Sequence, residues 1–346
     1  MARLRLDPFI ASIVGAAALA VVLPVRGVGA TAANDATTVA IGLLFFLYGA
    51  RLSTAETVAG LRHWRLQLAV LVASFVMFPL LGLTARLLVP TVLTPALYAG
   101  VLLLCTLPST VQSSIVFTSI AKGNVAAAIC AASLSSLVGI VITPLLIGLL
   151  VSGGGAGLSA GSITDIVLRL LAPFLAGQLA RRWIGGWITA HQRPLRVVDR
   201  GSILLVVYTA FSAGVAAGIW HQLTVPRLAA VVVVNLALLG LALAITSVSA
   251  RLLGFDRADR ITIVFCGSKK SLAAGLPMAS VLFAGAGSGA VGLIVLPLML
   301  FHQIQLMACA ALARRWARQA AREGAPEAGP EMKPVSELAA GRPGSP

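Results

Sequence analysis

Apolar stretches of about 20 residues recur along nearly the whole chain and constrain its fold more than any other feature. Each is long enough to cross the ~30 Å hydrocarbon core of a bilayer as a helix. Only 11% of the 346 residues are charged and 58% are hydrophobic, whereas a soluble domain carries roughly 25% charged residues. The sequence therefore predicts an all-α integral membrane protein. We place ten transmembrane spans at residues 8–24, 36–50, 66–89, 96–120, 124–150, 163–182, 201–219, 228–253, 261–284 and 288–313.

The positions of the basic residues orient these spans. Most of the 26 Lys and Arg residues fall in connections that the ten spans place on one side, together with both termini. Because cytoplasmic loops are rich in Lys and Arg, we expect a protein of the cell (inner) membrane with both termini in the cytoplasm. The net charge of +15 therefore does not indicate nucleic acid, and membrane lipids are the expected surroundings. The basic residues on the other side are Arg26, Arg86, Arg169 and Arg227.

Short sequence matches indicate an internal duplication. Residues 84–88 resemble 249–253 at the ends of spans 3 and 8, and residues 138–146 resemble 291–299 in spans 5 and 10. Five is an odd number, so two five-helix halves must run in opposite directions across the membrane, as in many secondary transporters. The predicted units are a first five-helix repeat, an inverted second repeat, and a cytoplasmic basic segment with a disordered tail. They occupy residues 1–150, 163–313 and 314–346.

Spans 4 and 9 each carry a polar segment with proline or glycine at mid-membrane. Span 4 reads Pro-Ser-Thr-Val-Gln-Ser-Ser over residues 108–114, and span 9 reads Cys-Gly-Ser-Lys-Lys-Ser over 266–271. Interrupted polar segments at corresponding positions of two halves are typical of broken helices that build a binding site. Span 5 adds serines, for which interhelical packing is the alternative role. The candidate binding residues are Ser109, Thr110, Gln112, Ser113, Ser114, Ser133, Ser136, Ser268, Lys269, Lys270 and Ser271.

Lys269 and Lys270 are the most informative of these residues. A charged side chain at mid-bilayer costs at least ~2.5 kcal/mol, so a buried pair indicates a function. The alternative is that both side chains snorkel from a cytoplasmic helix end. All 11 carboxylates lie in connections, span ends or the tail. The lysines are therefore expected to face backbone carbonyls, hydroxyls or an external anion.

The chain resembles the bile acid:sodium symporter superfamily, specifically its bile-acid-symporter-like (SBF-like) branch. The resemblance covers roughly residues 5–315 and rests on the ten spans and on the segments 108–114, 121–125 and 267–272. It implies a panel domain of helices 1, 2, 6 and 7 and a core domain of helices 3–5 and 8–10. In that arrangement helices 4 and 9 are broken and cross at the midplane.

The same resemblance implies a Na⁺ site near Ser113, Ser114 and Ser133. However, the family's helix 9 carries a glutamate and a glutamine as sodium ligands. Here Phe265 or Cys266 stands at the glutamate position, and lysine occupies the region of the glutamine. We therefore expect a lysine ammonium where a relative would hold sodium, and no cofactor beyond this doubtful ion.

Together these features predict a secondary transporter of a small organic anion that works by alternating access, with its site at the crossing of spans 4 and 9. The alternative is a non-transporting membrane regulator of ion homeostasis that acts through cytoplasmic partners. An enzyme is not expected, because the sequence contains neither an HExxH motif nor a buried pair of carboxylates.

Overall fold

A computed structural model describes residues 8–51, 63–152, 160–218, 223–284 and 290–323 of the protein. Over these ranges every regular secondary-structure element is a helix, and there is no β-strand. The helices are α1 (Pro8–Val22), α2 (Val28–Arg51), α3 (Trp64–Leu88), α4 (Pro95–Thr106), α5 (Gln112–Ile120), α6 (Val125–Ser152), α7 (Ala160–Ala190), α8 (Gln192–Ala216), α9 (Val225–Leu252), α10 (Arg257–Gly267), α11 (Leu272–Leu282) and α12 (Ala290–Glu323).

Six of these helices are long and apolar enough to cross a membrane, namely α2, α3, α6, α8, α9 and α12. Two shorter apolar stretches lie in α1 and α4. Lipid leaves no water to hydrogen-bond the backbone, and a helix satisfies its own N–H and C=O groups. An entirely helical, apolar chain of this kind is therefore suited to the bilayer, as predicted from its composition.

Several helices extend beyond the predicted spans. Helix α7 continues to Ala190 rather than ending at 182, and α8 begins at Gln192 rather than at 201. Hydropathy marks only the lipid-facing part of a helix, whereas backbone hydrogen bonding continues into the polar region. Residues 314–323 likewise continue α12, and the expected disordered tail at 324–346 lies outside the described residues.

Helices α2 and α7 cross in backbone contact. A Cβ atom at Gly49 would lie 2.0 Å from the carbonyl oxygen of Phe174, and one at Gly177 would lie 2.0 Å from that of Phe46. Small residues allow such approach in membrane bundles. Helices α1 and α8 also pack against each other, and α8 contacts α2, so these four helices form one group.

The remaining helices pack around α4 and α12. Gly100 lets these two helices approach closely, since a Cβ there would lie 2.2 Å from the carbonyl oxygen of Ile294. The rings of Phe78 and Phe301 meet edge to face, with centroids 6.2 Å apart. This group contains the four short helices α4, α5, α10 and α11, which meet at the features described next.

Candidate functional site

Span 4 of the sequence is interrupted at residues 107–111, which we call the first break. Helix α4 ends at Thr106, Leu107 is extended (φ −69°, ψ 153°), and α5 begins at Gln112. Pro108 explains the interruption, because proline lacks an N–H and disfavours helical geometry in the residue before it. The last carbonyls of α4 therefore lack partners within the helix and need donors from elsewhere.

Other parts of the chain supply those donors. The Lys270 ammonium donates to the carbonyl oxygens of Cys105 and Leu107, at 3.0 and 2.7 Å. The Thr143 hydroxyl donates to the carbonyl oxygen of Thr106 at 2.7 Å, and the Ser271 N–H donates to the carbonyl oxygen of Pro108 at 3.0 Å. The end of α4 is thus satisfied by residues from span 9 and from α6.

Span 9 is interrupted at residues 268–271, the second break. Helix α10 ends at Gly267, and the Ser271 hydroxyl caps α11 by accepting from the Ala274 N–H at 3.2 Å. Between them, Gln305 of α12 holds the backbone of Lys270. Its Oε1 accepts from the Lys270 N–H and its Nε2 donates to the Lys270 carbonyl, both at 2.8 Å.

Lys270 is fully buried, and all three donors of its ammonium are used. Besides the two α4 carbonyls it donates to the carbonyl oxygen of Ser74 at 2.8 Å. Ser74 lies in a π-helical turn of α3 at Ala73–Met77. The ammonium also lies 4.2 Å from the centre of the Phe78 ring. A cation at the C-terminus of a helix is favoured by the helix dipole. The Lys270 ammonium thus joins α3 and the end of α4 to the second break.

Lys269 is equally buried but has a different environment. Its ammonium donates to the Ser113 hydroxyl at 2.6 Å and lies 4.2 Å from the centre of the Phe117 ring. Both lysine heads are enclosed by protein, so snorkelling to the cytoplasmic surface is excluded. Ser113 is in the first turn of α5, whose N-terminus carries a partial positive charge. The charge of Lys269 therefore faces a like partial charge.

Three hydroxyls, one from the first break and two from the start of α5, form a cluster beside Lys269. The Thr110 hydroxyl is 2.8 Å from that of Ser113 and 3.0 Å from that of Ser114. The Ser114 hydroxyl donates to the carbonyl oxygen of Phe265 in α10, at 3.2 Å. The structure thus brings together Thr110, Ser113, Ser114 and Lys269 of the predicted set.

The other predicted residues differ in burial and in hydrogen bonding. Ser109 is buried, and its N–H donates to the Ser135 hydroxyl at 3.0 Å. The Ser268 hydroxyl, just after the end of α10, donates to the Val264 carbonyl in the last turn of that helix, at 2.6 Å. Gln112 is exposed and is the first residue of α5, directly after the first break. Ser133 and Ser136 are half-buried on α6, on either side of Ser135.

The site consists of two helix breaks joined by buried lysines. Comparison with known proteins identifies the family of the chain. The sequence model of the SBF-like CPA transporter family matches residues 7–318. The chain belongs to this family. It is therefore an integral membrane transporter and not an enzyme.

Named relatives extend over most of the chain. A protein of Pseudomonas aeruginosa, called uncharacterized, is 55% identical over 313 residues, which cover 90% of this chain and 93% of the relative. The Escherichia coli protein named "Putative symporter YfeH" is 51% identical over the same shares. The rat protein named Sodium/bile acid cotransporter 7 is 30% identical over 88% of this chain and 91% of its own length.

Three residues at this SBF-like site were not among the predicted ones. They are Ser135, Thr143 and Gln305, which bond the backbone of the two breaks. A buried glutamine in an apolar span is itself a signal, because its amide needs partners inside the protein. Ser135 could not be separated from Ser133 and Ser136 by sequence, since the rotation of α6 decides which hydroxyl faces the break. Among the described residues, no group of three His, Cys, Asp or Glu could hold a metal ion.

Proposed function

We propose that this SBF-like protein is a secondary transporter that carries a small organic anion by alternating access, with the anion bound where the two breaks meet. One observation carries the proposal: the Lys269 ammonium lies at the N-terminal turn of α5 with the Ser113 hydroxyl as its hydrogen-bond acceptor. A buried ammonium has three donors, and a carboxylate would complete them. It would also offset the positive end of α5.

The aromatic surroundings of Lys269 suit the apolar part of such an anion. Phe117 and Phe265 lie with ring centroids 6.0 Å apart, and Phe265 and Trp316 with centroids 5.3 Å apart. These rings come from α5, α10 and α12. Binding pockets combine apolar walls with a few convergent polar groups, which is the composition found here.

The movement we propose is that of a core domain against a panel. The panel comprises α1, α2, α7 and α8, and the core comprises the other helices, including both broken spans. The ten spans form two inverted five-helix repeats, residues 1–150 and 163–313, so that each break falls in the fourth span of its half. Inverted repeats with broken helices at the midplane suit alternating access around a fixed site.

We propose that this transport does not require sodium. The hydroxyl of Ser113, which would be a sodium ligand by family resemblance, accepts from the Lys269 ammonium, and a cation beside that ammonium would be repelled. The Lys270 ammonium binds three backbone carbonyls, the ligand type that a bound Na⁺ would use. A covalently attached cation thus takes the place of an exchangeable one.

We propose that the protein lies in the inner membrane with both termini in the cytoplasm. Support comes from the arginines around the α7–α8 and α9–α10 connections, which the positive-inside rule assigns to the cytoplasmic side. Cysteine-scanning with a membrane-impermeant maleimide at positions 122 and 227 tests the orientation. We expect labelling of intact cells at 227 and labelling only after permeabilisation at 122.

Transport is tested with the purified protein in liposomes, preloaded with buffer and diluted into sodium or choline chloride. Labelled taurocholate is one probe, because the rat relative is named as a sodium/bile acid cotransporter. Labelled lactate is the second probe and represents small carboxylates. We expect equal uptake in both salts and at least a tenfold loss in Lys269→Met. Lys122→Met, on an exposed turn, is the matched control.

Strict dependence on sodium in the wild type would contradict the sodium-independent mechanism while leaving the anion site in place. Unchanged uptake in Lys269→Met would contradict the anion site. The regulator alternative is tested in a deletion strain that is sensitive to salt. If the Lys269→Met variant transports nothing but rescues growth in salt as fully as the wild type, the protein acts as a regulator of ion homeostasis.

A further inference from the structure

A cavity lies away from the helix breaks, at the end of α2 and beside the connection between α7 and α8. Its volume is about 160 Å³. Three arginines line it, one from each helix: Arg51, Arg181 and Arg196. Thr189 and Gln192 add polar groups. We call this space the arginine cavity.

The walls of the arginine cavity are rigid. It lies one turn beyond the backbone contact that Gly49 and Gly177 make between α2 and α7. Beneath it, Leu47, Ile188 and Leu195 form a small buried core. A site built on packed helices keeps its geometry without a ligand, which reduces the cost of binding.

The charge inside this cavity is strongly positive. Arg51 forms an ion pair with Asp199, but its second terminal nitrogen is buried without a partner. The described residues that line the cavity include these three guanidinium groups and no carboxylate. Helix α8 begins at Gln192, on the cavity wall, and adds the partial positive charge of a helix N-terminus.

A glycine makes room for one of these arginines. A Cβ at Gly185 would lie 3.3 Å from Cγ of Arg181, so the arginine stem lies across α7 at this glycine. The stem therefore runs along α7 towards the cavity rather than straight out from the helix.

Exposed aromatic residues beside the cavity support a position at the depth of lipid headgroups. Trp183 and Trp187 of α7 are 67% and 56% exposed. The Arg182 guanidinium stacks 3.6 Å from the centre of the Trp183 ring. Tryptophan is enriched where a membrane protein crosses the interface between lipid and water, and basic pockets between helices on the cytoplasmic side suit anionic headgroups.

We propose that the arginine cavity is a binding site for a phosphate-type oxyanion, and that it is separate from the transport site. Guanidinium groups match phosphate oxygens with paired, charge-assisted hydrogen bonds. The phosphate can belong to an anionic phospholipid of the surrounding membrane or to a free phosphate ion in the cytoplasm. Both offer the same oxygens to the same three arginines, and the experiment distinguishes them.

The test measures ligand binding to the full-length protein purified in detergent. Phosphatidylglycerol, phosphatidylcholine and inorganic phosphate are titrated, with bound lipid counted by native mass spectrometry and thermal stabilisation measured in parallel. The cavity variant is Arg181→Gln/Arg196→Gln. The matched control is Arg182→Gln/Arg193→Gln, which removes the same charge from exposed positions that do not line the cavity.

A further variant covers the case in which the double cavity variant does not fold. Gln192→Glu places a carboxylate on the cavity wall, and acidic residues in the first turn of a helix are stabilising. The fold is therefore retained while one positive charge of the site is offset and an anion is repelled.

We expect phosphatidylglycerol to bind at least tenfold more weakly to Gln192→Glu and to the cavity variant than to the wild type. The control variant should bind it as tightly as the wild type. Phosphatidylcholine should bind equally to all. Stabilisation by phosphatidylglycerol alone identifies a lipid headgroup, and equal stabilisation by inorganic phosphate identifies the free ion. Equal losses in control and cavity variants, or no preference for either phosphate source over phosphatidylcholine, would overturn the proposal.

Discussion

The side chain of Gln305 hydrogen-bonds the backbone of Lys270 on both sides. Its oxygen accepts from the N–H and its nitrogen donates to the carbonyl, each at 2.8 Å. These are the backbone groups that the second break leaves without helical partners. Gln305 therefore replaces, from a neighbouring helix, the hydrogen bonds that a continuous helix would have made. The backbone of a residue with a fully buried ammonium is thus held by a fully buried amide.

Replacing Gln305 by leucine should destabilise the fold. The change leaves the N–H and the carbonyl of Lys270 buried without partners, and each unsatisfied group costs about 1–3 kcal/mol. We expect the free energy of unfolding to fall by about 2–6 kcal/mol. Unfolding in detergent, followed by fluorescence, measures the change.

The control for this variant is Gln303→Leu, two residues earlier on α12 and half-buried. Its free energy of unfolding should change by no more than about 0.5 kcal/mol, as for most substitutions away from buried networks. Equal losses in both variants would show that any apolar substitution in this part of α12 is destabilising and that the contact to Lys270 is not special.

Lys269→Met and Lys270→Met should differ although the residues are adjacent. Lys270→Met leaves three buried carbonyls without donors, and hydrogen bonds to a charged group contribute about 1.5–3 kcal/mol each. Lys269→Met removes one hydrogen bond, and the Ser113 hydroxyl keeps its contact with Thr110. Because burial of a charge is itself costly, replacing the Lys269 ammonium by an apolar side chain of similar volume also removes that cost.

We therefore expect Lys270→Met to reduce the yield of folded protein strongly, and Lys269→Met to fold normally while losing transport. Monodispersity in size-exclusion chromatography and uptake in liposomes separate the two effects. A Lys270→Met variant as stable as Lys269→Met would contradict the division of roles.

Some of this site could be predicted from the sequence, and the reason is energetic. Lys269 and Lys270 stand out because charge at mid-membrane is costly, and Pro108 marks the first break because proline interrupts a helix. The two helix breaks and the carbonyl and hydroxyl partners of the lysines agree with those predictions. Charge patterns also predicted an orientation, which stays a prediction.

Other features could not be predicted because they depend on helix rotation. Lys269 and Lys270 are neighbours in sequence, and only the path of the second break decides that one ammonium faces carbonyls and the other a hydroxyl. Likewise, the sequence does not distinguish three serines of α6 as binding residues. In the structure, Ser135 is the one of the three that bonds the first break. Gln112 was selected with its polar neighbours, yet it lies on the exposed side of α5.

Ser135→Ala should therefore have a larger effect than the same change at Ser133 or Ser136. It leaves the buried N–H of Ser109 without an acceptor, which costs about 1–3 kcal/mol. The neighbouring serines are half-buried, and their replacement should change the free energy of unfolding by no more than about 0.5 kcal/mol. Thermal unfolding of the three alanine variants side by side checks the order, and a larger loss at Ser133 would support the sodium-site assignment instead.

Gly49→Ala should disrupt the contact between α2 and α7. The added Cβ would lie 2.0 Å from the Phe174 carbonyl oxygen, and backbone atoms on both sides cannot move aside as a flexible side chain would. Overpacking of this kind costs about 1–3 kcal/mol or more. Gly42→Ala is the control on the same helix, where a Cβ meets nothing within 4 Å. Because alanine is the better helix former, that control should gain about 0.5–1 kcal/mol. Opposite signs of the two changes in unfolding free energy would establish that α2 and α7 are held in backbone contact, and a stabilised Gly49→Ala would contradict the packing described here.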